Sequence, residues 1–319
     1  MRVLITGAAG FIGSNLTKAC LDAGWHVTCV DDLSNGHREF LPSPIAVRFQ
    51  PNDFANSTVL DRIRRQEFDT VIHLAAVPRV SYSVLYPLRT HEVNVDKTLL
   101  LLEACKGNVN HVVFASSSSV YGGADVLPTP ETFPRNPKSP YALQKAIIED
   151  YLRLYSELYG LDSACMRFFN VFGPNQLGDS PYATAVSAWL TAIKKGVPMR
   201  SDGDGSQSRD MCYVDNVVSA CMKAATYSGK LGAETFNVAC GDRTTNKEIL
   251  EELKRRYPGA SYVDAPWRPG DVMHTQADVS KAERVLGYIP VVRFWDGLDR
   301  TIKWYEDNWS WTKVLKLHT

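Results

Sequence analysis

The chain has 319 residues, 45% of them hydrophobic, and balances 35 Lys and Arg against 35 Asp and Glu. That length supports a substantial core in one large domain or two unequal ones, and a neutral balance with no basic block argues against a nucleic-acid surface. No apolar stretch is long enough to span a bilayer, the N-terminus runs straight into a strand pattern with no signal peptide, and the seven cysteines include no Cys-x-x-Cys pair; a cytoplasmic protein with reduced thiols and no structural metal is expected.

Arg2 to Thr6 is a short apolar, β-branched run that reads as a buried strand. Gly7-Ala-Ala-Gly10-Phe-Ile-Gly13 follows at once, and an amphipathic helix is expected over about 14–23. Gly7 suits the tight turn, Gly10 lets backbone approach a pyrophosphate at the helix N-terminus, and Gly13 allows close helix–strand packing. A second strand, His26 to Val30, ends at Asp31. An acid there accepts from the adenosine ribose hydroxyls and repels a 2′-phosphate, which points to NAD rather than NADP; Arg38 nearby softens that preference without occupying the decisive place. A third strand is expected near 45–49, a helix near 57–66, and a fourth strand near 69–75 that runs into the small residues of Leu74-Ala75-Ala76, against which a nucleotide can lie close to backbone. His73 reads as a packed strand histidine.

A helix is expected over 92–106, where the broad apolar spacing of Val93 to Cys105 offers one face to the sheet and another to a partner subunit. Strands follow near 111–116 and 163–168, with a helix between them at 140–159. Within that helix Tyr141 and Lys145 stand at i, i+4 and share one face. An ammonium beside a phenol favours the phenolate, so the tyrosine can act as a base near neutral pH. A hydroxyl from the serine run Ser116 to Ser119 can bridge it to a substrate alcohol whose carbon gives up hydride. The alternation of strands and helices implies a doubly wound, Rossmann-like parallel sheet with right-handed crossovers.

Past residue 170 the texture changes. Gly173-Pro174 and Gly203-Asp-Gly205 are turn signals, an apolar helix is expected near 215–226, and Thr235 to Ala239 is another strand candidate. Residues 1–169 are assigned to nucleotide binding and 170–319 to a smaller, mixed α/β substrate-binding part, interleaved with the sheet rather than strung on a linker. Cys212 lies near a candidate substrate loop and is assigned to packing.

Taken together, Thr6 to Gly13, Asp31, His73 to Ala76, Asn94, Ser116 to Gly122, Tyr141 with Lys145, and Arg209-Asp210 resemble the extended short-chain dehydrogenases/reductases that act on nucleotide sugars. The resemblance covers essentially the whole chain and is strongest to the UDP-sugar 4-epimerases; the segments 203–218, 236–245 and 268–281 are similar to the branch that handles N-acetylated hexosamines. It implies Ser117, Tyr141 and Lys145 as the catalytic trio. It implies NAD contacts from Gly7, Gly10, Phe11, Ile12, Gly13, Asp31, Asp32, Asn35, Asp53, Phe54, Leu74, Ala75, Ala76 and Asn94, together with Tyr141 and Lys145. Substrate contacts are implied for Ser117, Ser118, Ser119 and Asn170, phosphate neutralisation for Arg209 and Arg268, and a bond to the uridine ribose for Asp271. A homodimer is expected on the same ground.

The activity implied is a hydride round trip at C4 of a UDP-hexose, through a 4-keto sugar that turns over before hydride returns to its other face. A 4,6-dehydratase needs an Asp-Glu pair directly after the catalytic hydroxyl residue, where this chain has Ser118 and Ser119. A UDP-glucuronate epimerase or decarboxylase, and a catalytically silent NAD-binding sensor, are the alternatives. In related epimerases the position three residues before the Asp of the Ala-Asp-x-Ser-Lys motif limits the space at C2, and here it is Thr275. A residue smaller than tyrosine leaves room for an N-acetyl group, so UDP-GlcNAc and UDP-GalNAc are the expected substrates, with UDP-Glc and UDP-Gal beside them.

Overall fold

The computed structural model describes residues 1–43, 46–179, 183–267 and 272–314, the last five as backbone. Six parallel strands arise before residue 170: β1 (Arg2–Thr6), β2 (His26–Val30), β3 (Arg48–Gln50), β4 (Thr70–His73), β5 (His111–Ser117) and β6 (Ser163–Phe168). Short strands β7 (Asn170–Phe172), β8 (Met199–Asp202), β9 (Ser208–Arg209) and β10 (Met211–Tyr213) come next, then β11 (Glu234–Val238), β12 (Thr244–Thr245) and β13 (Tyr262–Ala265). β11 pairs with β6, so the main sheet has seven strands in the order β11-β6-β5-β4-β1-β2-β3. The chain winds outward from β1 to β3 and then returns to β4. The switch point between β1 and β4 is where a doubly wound sheet opens a crevice beyond its strand ends.

The helices in chain order are α1 (Phe11–Asp22), α2 (Ser57–Arg64), α3 (Val80–Leu85), α4 (Pro87–His91), α5 (Lys97–Cys105), α6 (Pro140–Tyr159), α7 (Ala185–Lys195) and α8 (Val214–Ala225); α1, α2, α5, α6 and α8 cover the sheet, α3 and α4 pack against α6, and α7 packs against β8. Alternate residues of each strand point to opposite faces. Val3 and Ile5 therefore enter one apolar cluster with Leu16 and Cys20 of α1 and Val217 and Cys221 of α8. Leu4 enters the other, with Leu60 and Ile63 of α2, Leu101 and Leu102 of α5, and Ile148 and Leu152 of α6. Being buried on both faces is why these strands read as near-continuous apolar runs. Three two-stranded pairings, β7 with β10, β9 with β12 and β8 with β13, together with α9 (Asn246–Arg256), α10 (Ser280–Leu286) and α11 (Phe294–Val314), build the rest.

Two expected elements take a different form. β3 begins at Arg48, and Ile45, at the start of the apolar run, lies outside the described residues. The helix expected over 92–106 begins earlier, with Pro87 at the first position of α4, and passes through a π-helical stretch, Glu92–Asp96, before α5. A π-helical stretch holds an extra residue per turn and rotates the following face, which apolar spacing alone does not reveal.

Candidate active site

The crevice beyond β1 and β4 is a cleft of about 850 Å³. One end is made of backbone. Gly7 has φ +68°, and a Cβ there would meet the Ala75 nitrogen at 2.7 Å. A Cβ on Gly13 would meet the Gly7 carbonyl oxygen at 2.0 Å, so α1 packs on the turn only because both positions are glycine. Gly10 is the N-cap of α1 and offers no side chain to its first turn, which leaves first-turn amides for an anion. Gly7, Gly10, Phe11, Ile12 and Gly13 all line the cleft, as do Asp31, Asp32, Asn35, Asp53, Phe54, Leu74, Ala75 and Ala76.

Asp31 is buried at the end of β2 and accepts from the Ala9 amide at 2.9 Å and the Leu33 amide at 2.8 Å. Burial raises its pKa while these amides oppose the shift. A carboxylate has about four acceptor sites, so two bonds leave capacity facing the cleft. Asp53 is tied to Lys97 at 2.6 Å. Lys97 also lines the cleft, a pairing that sequence reading missed because the partners lie on separate segments. These glycines, the uncapped helix start and the buried acid fit a dinucleotide carrying free ribose hydroxyls.

Asn94 is not in the cleft wall. It is buried in the π-helical stretch, where it accepts from the Val77 amide at 2.8 Å and donates to the Val77 carbonyl and to Gln144 Oε1. It fixes the backbone that follows β4, and so shapes the cleft from behind.

The other end of the cleft holds Ser117, Tyr141 and Lys145. Ser117 ends β5 and caps the short 3-10 turn Ser118–Tyr121, and α6 carries the other two. The Lys145 ammonium donates to the Ala115 carbonyl at 2.6 Å and stands 4.6 Å from the Phe114 ring centre and 5.8 Å from that of Tyr141. Burial pushes its pKa down to about 7, with Glu149 one turn further on pulling the other way. The Tyr141 phenol is also displaced upward, to about 12, by burial, against the pull of Ser117. The sequence predicts a phenol lowered by its lysine; in the structure burial sets the direction, and the ammonium is engaged by the Ala115 carbonyl.

Beneath the trio lies a buried network that sequence reading missed. Glu149 accepts from Ser116 Oγ at 2.6 Å and from two nitrogens of Arg167 at 2.9 and 2.7 Å. Arg167 also donates to the Tyr121 hydroxyl at 2.9 Å, and Tyr121 donates to Asn237 on β11. Glu149 follows Lys145 by one helical turn, a spacing that was visible; its partners on β5 and β6 were not.

His73 is buried between Thr6 Oγ1 at 2.7 Å and Thr98 Oγ1 at 3.1 Å, with its pKa depressed to about 3 by burial. It packs as a neutral strand histidine. All seven cysteines are buried and free, Cys212 among them. Among the described residues no His, Cys, Asp or Glu cluster is arranged to hold a metal ion, and no helix is long and apolar enough to cross a membrane.

Of the other expected substrate residues, Ser118, Ser119, Asn170, Arg209 and Thr275 lie outside the cleft lining that Ser117 shares with the glycine turn. Ser119 donates to Ser117, and Ser118 follows Ser117 in the same turn. Asn170 begins β7 beside Met211. Arg209 and Thr275 come together: the Arg209 guanidinium donates to the Ser208 and Met273 carbonyls, and the Thr275 hydroxyl accepts from the Asp210 amide at 3.2 Å. Asp210 is itself buried, accepting from the amides of Cys240, Gly241 and Ala277. Arg268 and Asp271 lie outside the described residues.

A Rossmann-like sheet with a glycine turn, a buried acid after β2 and a Ser-Tyr-Lys set in one cleft defines a nicotinamide-dependent enzyme of the short-chain dehydrogenase class. Residues 3–239 match the model of the NAD dependent epimerase/dehydratase family, and the chain belongs to that family. It is 36% identical over 321 residues to a UDP-glucose 4-epimerase of Mycolicibacterium smegmatis, covering 96% of this chain and 99% of that protein. Among solved structures it is similar to a UDP-N-acetylglucosamine 4-epimerase from Methanobrevibacter ruminantium in complex with UDP-N-acetylmuramic acid, with a TM-score of 0.90 and 35% identity over 96% of this chain and 98% of the other. A Thermus thermophilus UDP-glucose 4-epimerase in complex with NAD matches with a TM-score of 0.86 and 35% identity, over 96% and 99% of the two chains.

Proposed function

We propose that the protein interconverts the C4 epimers of a UDP-hexose, taking UDP-GlcNAc and UDP-GalNAc and, beside them, UDP-Glc and UDP-Gal. The observation that carries this reading is the placement of Ser117, Tyr141 and Lys145 at one end of the cleft whose other end is the glycine turn and Asp31. When bound, NAD+ supplies a hydride acceptor for C4 and a positive ring charge that favours the Tyr141 phenolate.

The chain's own residues do the rest. The backbone of Gly7 to Gly13 holds the pyrophosphate, and Asp31 accepts from the adenosine ribose. Tyr141 takes the C4-hydroxyl proton and returns it after the sugar has turned over, directly or through Ser117. Lys145 favours the phenolate when protonated and bonds the nicotinamide ribose. Arg209 and Arg268 neutralise the substrate diphosphate, Asn170 holds it, and Asp271 bonds the uridine ribose. Thr275, smaller than tyrosine, leaves space at C2 for an N-acetyl group. The molecule works as a homodimer in the cytoplasm.

The test is an NMR time course of the purified protein with UDP-GlcNAc and no added cofactor. Appearance of UDP-GalNAc, reaching the same ratio from either side, supports the reading with NAD retained through turnover. Conversion of UDP-Glc but not UDP-GlcNAc overturns the C2 assignment, and conversion of UDP-glucuronate alone moves the enzyme to uronic acids. Inactivity on all three, with NAD supplied, overturns the epimerase reading.

A further inference from the structure

β7 leads into a strap, residues 173–178, that belongs to the second half of the chain yet reaches the nucleotide end of the cleft. Asn175, Gln176 and Leu177 line the cleft together with Gly10, Phe11 and Gly13. On one side the strap is bonded to α1. Asn15 Nδ2 donates to the Pro174 carbonyl at 3.0 Å and to the Phe11 carbonyl at 2.8 Å, which uses both protons of its amide. Asn175 Nδ2 donates to the buried Ser14 Oγ at 2.9 Å, and that hydroxyl donates in turn to the Phe11 carbonyl at 3.1 Å. The first turn of α1, where an anion is best received, is thereby tied to the strap. Asn175 has φ +68°. Glycine is the default residue for that backbone, and asparagine is one of the few others that adopt it; here the asparagine adds the amide that reaches Ser14.

The other side of the strap is anchored on α7 and α11. Tyr305 donates to the Gln176 carbonyl at 2.5 Å, and Gln176 Oε1 accepts from Thr184 at 2.9 Å and from Ser187 at 3.1 Å. A Cβ on Gly178 would meet the Ser187 carbonyl oxygen at 2.0 Å, so the strap lies directly on α7 there. Resting on the reading that NAD is retained through turnover, we propose that Asn15 and Asn175 form a latch that holds the strap against α1 and sets the rate at which the dinucleotide leaves the cleft. Every donor and acceptor of the latch belongs to the chain itself. The latch therefore slows entry and release alike and changes affinity little.

Asn175→Gly keeps the left-handed backbone and removes the amide, and Asn15→Ala removes the bond to Pro174 while suiting the helix. Holoenzyme carrying radiolabelled NAD+ is chased with excess unlabelled NAD+, and affinity is read by equilibrium dialysis with the same label. Release should be about three- to tenfold faster in each variant, the range for one lost hydrogen bond, with affinity nearly constant. Label released at the wild-type rate in both variants overturns the latch. So does a release rate that rises in proportion to a loss of affinity, which assigns Asn175 to direct contact with the nucleotide. A rate that rises only in step with a fall in the denaturation midpoint also overturns it, because both residues then serve stability alone. Failure of the underlying reading is distinct. A wild type that is purified without NAD and turns over only when NAD is added sinks cofactor retention and the latch with it, whereas variants that hold their label as long as a retentive wild type sink only the latch.

Discussion

Glu149 and Arg167 expose only 3% and 4% of their side chains. Two buried charges are tolerable because each satisfies the other, Glu149 also accepts from Ser116 and Arg135, and Arg167 also donates to Tyr121 and the Glu131 carbonyl. Removing one partner strands the other, so Glu149→Ala should cost about 3–5 kcal/mol in a denaturant titration. Ser116→Ala, which removes a single hydroxyl, should cost only about 1–2 kcal/mol. Equal losses would mean that the network does not carry a buried charge. Lys145 makes a second residue-scale prediction. Burial depresses its pKa from 10.5 to about 7, so between those values the unfolded chain binds a proton that the folded chain has released. The cost of burying the charge is full below about pH 7 and is relieved as pH rises toward 10.5. In nucleotide-free protein the stability of the wild type relative to Lys145→Met should therefore rise across that window; a flat difference would mean that Lys145 keeps its proton. At the other end of the cleft, Asp31→Asn removes the charge that repels a 2′-phosphate but keeps an acceptor oxygen. The ratio of NAD to NADP affinity should narrow by about tenfold, worth about 1.4 kcal/mol, as read by competitive binding. Tyr141, Lys145 and Asp31 were legible because each is fixed by local spacing or a strand end. Glu149 was not, because its importance comes from residues on β5 and β6 that only the folded sheet brings to it.

At the scale of elements, α6 is the helix that the sequence marks most clearly. Ser139 caps it, accepting from the Ala142 amide at 3.2 Å, Pro140 opens it, and Gly160 ends it with φ +68°. The expected span 140–159 and the observed Pro140–Tyr159 coincide because both boundaries rest on single residues with fixed backbone preferences. The segment around Asn94 was harder to read, since no residue type announces a π-helical stretch. Tyr141 lies in the first turn of α6, so fraying there reaches the phenol directly. Ser139→Ala should lower stability by about 1 kcal/mol, seen as an earlier denaturation midpoint with an unchanged slope. A larger loss would show that Ser139 supports more than the helix end.

The whole molecule is joined across its two halves by β11, which comes from beyond residue 170 yet pairs with β6 along Glu234–Val238. That strand was visible as an apolar run, but its place in the sheet was not, since pairing partners far apart in sequence carry no local signature. A second feature at this scale is the outer surface of the α5–α6 layer. Leu100 is 51% exposed on α5, and Leu143 at 50%, Leu154 at 39% and Leu158 at 66% follow one stripe of α6. The opposite faces of both helices are already committed to the sheet through Leu101, Leu102, Ile148 and Leu152. An apolar stripe of this kind is usually covered by another protein surface, and a second copy meets it through a two-fold axis that sets the same residues against each other. A stable pair needs to bury about 1,200–2,000 Å² in total, which two helices per subunit can supply. Light scattering after size exclusion should therefore give a dimer mass for the wild type, and the double variant Leu154→Asp with Leu158→Asp should run as a monomer. Circular dichroism should show that the variant keeps its helices, since both positions point away from the core. A monomeric wild type, or a variant that stays dimeric, would place the partner surface elsewhere.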